Sequence, residues 1–394
     1  MASETPVFLT KVECPICKTI NEYETLRMGA YTESDRDTDF CPTGRKWRNP
    51  RYQAYNPLLF FTASCTSCHY TREFTNSFKE WKEDQYFKTY RLKTVKEKHL
   101  DMLAQPDSIL KIIGDRLAPH RYPNETAILK IILAVVDETL NDKQVDLDLG
   151  RFYLRIAWIF REMTSGENTN QQALKGHLTE MGDILENLRQ SVYNLKVKSF
   201  DFEKCAASQF EDEKISAEIK SSLYPIRDKY EAELNALREL LSLSDSKIDA
   251  VQDIFREHKC LAVGSADGDV PLGFHEFPTF HDFLGHLAEK WSGIPRNERE
   301  ALELAVKYYK SAYEDGRDIG EGNQQIQASY LIAELSRRIG NFDLAREYFN
   351  TTIRNGQEFI YKHKGDQSRT AMARKILELA IEQGRSNLAA SKTV

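Results

Sequence analysis

The order of apolar and polar positions along the chain changes character near residue 76. Before that point the apolar runs are short and of strand character: "VFLTKVE" at 7–13, and "LLFFTAS" at 58–64 after the turn signal Asn56-Pro57. Each leads directly toward a pair of cysteines. From Phe78 onward apolar residues recur at helical spacing. "NETAILKIILAVVDETL" predicts a helix with Asn124 as its N-cap after Pro123, and "LGRFYLRIAWIFREM" predicts a second apolar-faced helix.

Two of the helical stretches resemble each other. "YLRIAWIFREM" at 153–163 aligns with "SYLIAELSRRI" at 329–339, matching Ile156 to Ile332, Ala157 to Ala333 and Arg161 to Arg337. The alanine lets two helices approach closely, as helices A and B of a tetratricopeptide (TPR) repeat do. "GNFDLAREYFNTTI" then reads as a turn at Gly340 and Asn341 followed by a helix B, with Phe342, Ala345 and Phe349 inward. "EALELAVKYYKSA" reads as another, with Ala305, Tyr309 and Ala312 at the matching spacing. Stacked helical hairpins are the expected body. Residues 167–243 differ, being long polar helices. Leu185, Leu188, Val192 and Leu195 form a stripe there that continued heptads would make a coiled coil, and a homodimer seam is one reading of 167–243. Pro225 is expected to kink or split a helix. Gly264, Gly268, Pro271, Gly273 and Pro278 mark an irregular loop. The expected fold class is therefore mainly α, a TPR-like helical-hairpin array with a small N-terminal zinc-ribbon-like β module. Its expected parts are residues 1–76, 77–243 and 244–394.

Composition narrows the class. The chain has 394 residues, 41% hydrophobic and 29% charged, which allows an extensive core in a helix-rich protein. No apolar run approaches the roughly 20 residues needed to span a bilayer. "MASETPVFLTKVE" has neither a basic nor an apolar leader segment. A net charge of −6 argues against a nucleic-acid binder acting through the whole molecule, while leaving room for a local basic patch. Seven cysteines, with Cys205 and Cys260 alone in helical surroundings, do not form a disulfide framework. A reducing, cytoplasmic location is expected.

The chemistry concentrates at the N-terminus. Cys14 and Cys17 form one C-x2-C pair and Cys65 and Cys68 a second. Each pair can make a tight knuckle, and two knuckles complete a tetrahedral all-sulfur site suited to one structural Zn²⁺. Iron in the same ligands and a thiol–disulfide couple are the other readings. Cys41 is read as a partly buried spare thiol rather than an extra ligand, and His69 as a neighbour rather than a ligand. Between the pairs lie the carboxylates Asp35, Asp37 and Asp39, read as turn formers in exposed ion pairs rather than a cation site. Arg45, Trp47, Arg48, Arg51, Tyr52 and Tyr55 then interleave cations with rings, as a single-stranded nucleic-acid surface would. The bland alternative has the rings covering a small core while the cations stay solvated. His275, His281 and His286 do not share a helical face, which speaks against a histidine metal centre. No phosphate-binding, nucleophile-elbow or dinucleotide glycine pattern occurs, so a non-enzymatic protein is expected.

"CPIC" at 14–17, "DRDTDF" at 35–40, "YNPLLF" at 55–60 and "CTSCHY" at 65–70 occur in an order that resembles bacterial domain-of-unknown-function family 2225. The resemblance covers the first 75 residues or so most specifically. It implies a cysteine-rich N-terminal module joined to TPR-type helices, and it implies no activity. One position departs from the family pattern: His69 stands where a glycine usually follows the second pair, and a glycine would permit a left-handed turn there. The expected function is a zinc-containing scaffold or adaptor that binds a protein partner in a helical groove. Candidate groove residues are Tyr308, Tyr309, Lys310, Tyr330, Arg337 and Arg338. The alternatives are a nucleic-acid-binding regulator using the zinc module and residues 45–55, and a redox or iron protein using the four cysteines.

Overall fold

The computed structural model describes residues 6–49, 52, 55–119, 121–165, 169–210, 216–257 and 274–391. Three two-stranded antiparallel hairpins come first: β1 (Val7–Glu13) with β2 (Ile20–Leu26), β3 (Tyr31–Glu33) with β4 (Arg45–Trp47), and β5 (Thr62–Ser64) with β6 (Thr71–Glu73). Their registers pair Glu13 with Ile20, Glu33 with Arg45 and Ser64 with Thr71. The three tips are therefore residues 14–19, 34–44 and 65–70. The run "LLFFTAS" is not one strand. Asn56 accepts a hydrogen bond from the Leu58 amide, Pro57 presets the first turn, and Pro57–Phe60 becomes a 3-10 turn before β5 begins.

Helices follow: α1 (Asn76–Lys79), a π-helical turn at Phe87–Arg91 running into α2 (Leu92–Ala104), α3 (Ile109–Gly114), α4 (Pro123–Thr139) and α5 (Asp146–Ser165). Then come α6 (Thr169–Phe210), α7 (Ala217–Glu257), α8 (Phe280–Lys290), α9 (Glu298–Asp315), α10 (Asn323–Arg338), α11 (Phe342–Lys362) and α12 (Gln367–Ala390). In α4, Pro123 is the first helical residue, where its missing N–H costs nothing, so Asn124 lies inside the helix and is buried rather than capping it. Almost every side chain from Pro123 to Val136 is buried. A helix apolar on all sides is a core helix. No helix among the described residues is long and apolar enough to cross a membrane.

Met1–Ala173 with Val270–Val394 form one compact unit, and Leu174–Asp269 a second. In the first, α5 packs on α9, α9 on α10, α10 on α11 and α11 on α12. The alignment of the two similar stretches holds in packing: Ile156, Ala157, Ile332 and Ala333 are all fully buried. Ala305, Tyr309, Ala312, Ala345 and Phe349 are buried as well, whereas Phe342 is half-buried. The approach of α5 to α9 depends on Gly150, where a Cβ would stand 3.0 Å from the Tyr309 ring. The α10–α11 turn uses Gly340 at φ +85° and Asn341, whose side chain accepts from the Leu344 amide.

The first unit has two main apolar cores. The large one joins Ala30, Trp47, Tyr55 and Leu59 to α3–α5 and α8–α12. The small one surrounds the cysteines with Val12, Ile16, Tyr23 and Tyr70, and continues past residue 76 to Phe78, Trp81, Phe87 and Val95. The second unit is built from α6 and α7. Its helix α7 runs unbroken through Pro225. Lys196 pairs with Asp245 at 2.8 Å and Arg238 lies over the Phe200 ring, so the two helices run antiparallel. Val192, Leu241 and Ile248 are buried there, while Leu188 and Leu195 of the apolar stripe stay exposed. Residue 76 thus falls within the first unit and residue 243 within the second.

Candidate metal centre

The tips at 14–19 and 65–70 are built alike. In the first, the Cys14 amide donates to the Thr19 carbonyl at 2.8 Å and the Lys18 amide to the Cys14 carbonyl at 3.0 Å. In the second, the Cys65 amide donates to the Tyr70 carbonyl at 2.9 Å and the His69 amide to the Cys65 carbonyl at 2.9 Å. Lys18 at φ +69° and His69 at φ +61° turn each chain back in the left-handed conformation. The turn that a glycine would permit is therefore present with histidine in its place, at a cost of roughly 1–2 kcal/mol for the unfavoured backbone. Room for the ring comes from α3: a Cβ on Gly114 would lie 2.1 Å from the His69 ring. His69 itself reaches Asp115 at 3.5 Å and is not a ligand.

The two knuckles bring four sulfurs together, all within 4.8 Å of one another. Cys14 Sγ lies 3.6 Å from Cys68 Sγ, and Cys17 Sγ lies 3.5 Å from Cys65 Sγ. A disulfide would require about 2.05 Å. Four Zn–S bonds of about 2.3 Å in a tetrahedron set sulfurs roughly 3.8 Å apart, so the donor set fits one tetrahedral ion. Three of the cysteines are buried and Cys17 is half-buried. Hydrogen bonding among the thiols holds that of Cys65 low, and hydrogen bonding to Cys65, with burial, pushes the Cys14 thiol up to about 12, which disfavours its thiolate. A cation among the sulfurs reverses that balance. Among the described residues no other His, Cys, Asp or Glu cluster is placed to hold an ion.

Four residues that the motif did not announce, Asn21, His99, Asp137 and Trp81, hold the knuckles. Asn21 is buried, donates to Cys65 Sγ at 3.4 Å and to the Thr19 carbonyl at 3.0 Å, and accepts from the Thr66 amide at 2.9 Å. It thereby ties one knuckle to the other. His99 of α2 is fully buried, with Nε2 2.8 Å from the Cys68 carbonyl oxygen and Nδ1 2.6 Å from Asp137 Oδ1. The Cys68 carbonyl can only accept, so Nε2 carries a proton, and an ionised Asp137 favours a second proton on Nδ1. Burial opposes that charge, but the Asp137 carboxylate outweighs it and the pKa is raised. Asp137 Oδ2 also accepts from the Thr71 amide at 2.6 Å, so α2 and α4 grip the second knuckle through its backbone. Trp81 Nε1 donates to the Glu13 carbonyl at 2.8 Å beside the first knuckle.

The acidic tip at 34–44 is filled by protein cations. Arg161 of α5 donates to Asp39 at 2.7 Å, to Asp37 at 3.1 Å and to Glu298 at 2.7 Å. Arg338 of α10 reaches Asp37 at 2.8 Å, Thr38 Oγ1 at 2.7 Å and Glu334 at 2.9 Å. Trp158 Nε1 donates to Asp39, and the Tyr330 hydroxyl donates to the Thr38 carbonyl. Asp39 and Glu334 are fully buried. Asp37 and Asp39 are thus neither a cation site nor loose surface pairs, since they dock the middle hairpin onto the helices, while Asp35 stays exposed at the tip beside Ser34.

Most of the remaining candidates serve the interior. Arg45 donates through two nitrogens to Glu162, and Trp47 and Tyr55 are buried. Arg48 is exposed; Arg51 lies outside the described residues. Tyr309 and Tyr330 are core residues, and Tyr308 stacks on Tyr153 with 5.6 Å between ring centres. Arg337 pairs with Glu334 on its own helix, and Lys310 with Glu314. Cys41 is buried away from the four ligands, its thiol raised to about 12 by burial. His275 and His281 meet the carbonyls of Arg116 and Arg296, and His286 packs near Phe277. Cys260 lies outside the described residues.

A family of uncharacterized proteins conserved in bacteria, DUF2225, matches residues 7–257 and 287–377. No curated protein and no solved structure matches the chain. Because the match takes in both knuckles, the acidic loop and most of the helices, the chain belongs to the DUF2225 family.

Proposed function

We propose that this chain is a non-enzymatic, zinc-clamped adaptor whose partner is another protein. Zinc suits the four sulfurs because they would fill its shell, fix the knuckles and leave no position open for a substrate. The observation that carries the adaptor reading is the apolar surface of α6 and α7. Leu188, Tyr193, Leu195, Phe200, Leu237 and Leu240 are 40% to 62% exposed. Ile184, Leu188 and Leu195 follow one another at spacings that keep them on one face of α6; Tyr193, Val197 and Phe200 lie on another. A two-helix hairpin buries a single seam, and large apolar side chains outside that seam mark a binding surface. An amphipathic helical segment of a partner would cover such stripes as helices do in a bundle. The sequence likeness of α9–α11 to TPR hairpins supports a helical scaffold that displays this surface.

The reading moves the partner surface away from the candidates near α9 and α10, since Tyr309 and Tyr330 are core residues and Arg338 binds the acidic loop. It is also favoured over nucleic-acid binding. With Trp47 and Tyr55 buried, the segment 45–55 does not offer those rings for base stacking. The test is photo-crosslinking in cells from a probe at position 240, against a probe at exposed Glu382, with light scattering of the purified protein. A discrete heterologous product from position 240, lost when Leu188 and Leu195 are changed to glutamate with metal content unchanged, supports the proposal. Self-crosslinks with a dimer mass would make the partner a second copy. No product above the control, with a monomer mass, would remove the adaptor reading.

A further inference from the structure

A cavity of about 910 Å³ opens in the first unit between the middle hairpin, α5 and α10, within the size range of small-molecule sites. Its wall carries several arginines, and their bookkeeping is uneven. Arg36 faces Glu33 at 3.6 Å, Arg45 is held by Glu162, Arg151 by Asp148 at 2.9 Å and Glu73 at 3.2 Å, and Arg161 by Asp39 at 2.7 Å. Arg155 has no carboxylate within ion-pair distance among the described residues. One of its nitrogens donates to the Arg151 carbonyl at 3.1 Å, and its guanidinium lies over the Phe61 ring at 4.2 Å. The remaining donors on this half-buried group have no protein acceptor among the described residues, and burial together with the adjacent Arg151 lowers its pKa. Gln327, also on the wall, makes no side-chain hydrogen bond among the described residues. The wall also carries the apolar side chains Phe40, Leu154, Trp158 and Leu331, and its two carboxylates, Glu33 and Glu162, are taken by Arg36 and Arg45.

The geometry points to this cavity as a binding site for a small organic anion, a carboxylate or phosphate ester with an apolar body, anchored by Arg155 and Gln327. A half-buried guanidinium lacking a counter-ion is stabilised by an incoming anion, and a planar fork suits carboxylate and phosphate oxygens alike. An inorganic ion would satisfy Arg155 but leave the apolar wall wet; a neutral apolar molecule would do the reverse. The four-cysteine site and the α6–α7 surface take no part, so this inference stands or falls apart from the adaptor reading.

The test is calorimetric titration of the full, metal-loaded chain with naphthalene-2-carboxylate, 2-naphthyl phosphate and the neutral 2-naphthylmethanol. One site per chain is expected for at least one of the anions, with the alcohol tenfold weaker or worse. Whichever anion binds tighter identifies the headgroup class. Arg155→Met should weaken anion binding at least tenfold and leave the alcohol unchanged, and Arg155→Lys should recover part of the loss. Thr43→Trp, at an exposed position on the cavity wall, should block all three probes without touching the core, and it decides the matter should Arg155→Met fail to fold. Equal binding of alcohol and anions, anion binding untouched by Arg155→Met or Thr43→Trp, or binding of no probe would each overturn the proposal.

Discussion

The outer two hairpin tips and the middle one solve the same electrostatic problem in opposite ways. Each gathers groups that repel one another when ionised: four thiols at 14–17 and 65–68, and the carboxylates Asp37 and Asp39 at the middle tip. The sulfurs find no protein cation among themselves and call for an ion from solution. The carboxylates Asp37 and Asp39 take Arg161 and Arg338 from helices far along the chain. An imported ion joins two short segments to each other, whereas imported arginines join a loop to the body that supplies them. On the proposed reading the knuckles form a clamp whose strength depends on metal supply, and the acidic loop forms a weld that does not.

Removing a sulfur should separate the two most sharply. Cys65→Ser is expected to abolish stoichiometric metal, read by elemental analysis. It forfeits binding free energy on the order of 10 kcal/mol, as structural zinc sites of this class provide. Loss of the ordered environment of Trp81 should follow in near-ultraviolet dichroism while helical dichroism persists. Because the Cys14 thiol sits up at about 12 without an ion, loading must displace its proton. Metal affinity should therefore fall as pH falls, and loading at neutral pH should release protons. The weld behaves otherwise. Arg161→Met leaves the buried Asp39 without its shortest cation contact and should cost about 3–5 kcal/mol in denaturant unfolding, equally with and without chelator. Adding Asp39→Asn should return part of that loss, as a coupled pair requires. A chelator-dependent cost would show that clamp and weld are one structure.

These differences explain what the sequence made legible. The clamp is local: each knuckle's geometry is written in six consecutive residues, so Cys14, Cys17, Cys65 and Cys68 could be read directly, as could the strand at 7–13. The helical faces were legible for the same reason, since Ala305, Tyr309 and Ala312 declare their burial by spacing alone. The weld is not local. Nothing near Asp39 names Arg161, which stands 122 positions away, and the candidate Arg338 was read as a groove contact because its partner Thr38 lies 300 positions away. Helix α9 pairs with α5 across the whole α6–α7 insertion, a pairing that no window could contain. Asn21 and His99 escaped because a polar residue beside a motif carries no period; only their burial reveals them.

Two smaller experiments probe how far the helices support the clamp. His99→Ala removes the donor to the Cys68 carbonyl and the ring facing Asp137. It should lower stability by about 2–3 kcal/mol, through buried groups left unpaired, and weaken metal binding on the order of tenfold in a chelator competition. A normal metal affinity in that variant would place His99 with the weld, as support for the helices alone.

The mildest test concerns the residue after the second knuckle. His69 holds a left-handed backbone that glycine would adopt freely, and its ring occupies the space that Gly114 leaves open. The two positions therefore form one exchange. Gly114→Ala alone puts a methyl 2.1 Å from the ring and should cost about 1–3 kcal/mol by overpacking. In a His69→Gly background the same methyl meets no ring, alanine favours the helix by roughly 0.5–1 kcal/mol, and the cost should vanish or change sign. A double-mutant cycle by urea unfolding measures the coupling, which should exceed about 1 kcal/mol. Additive effects would mean that the knuckle tolerates histidine without help from α3, and that its left-handed turn is imposed by the ion site alone.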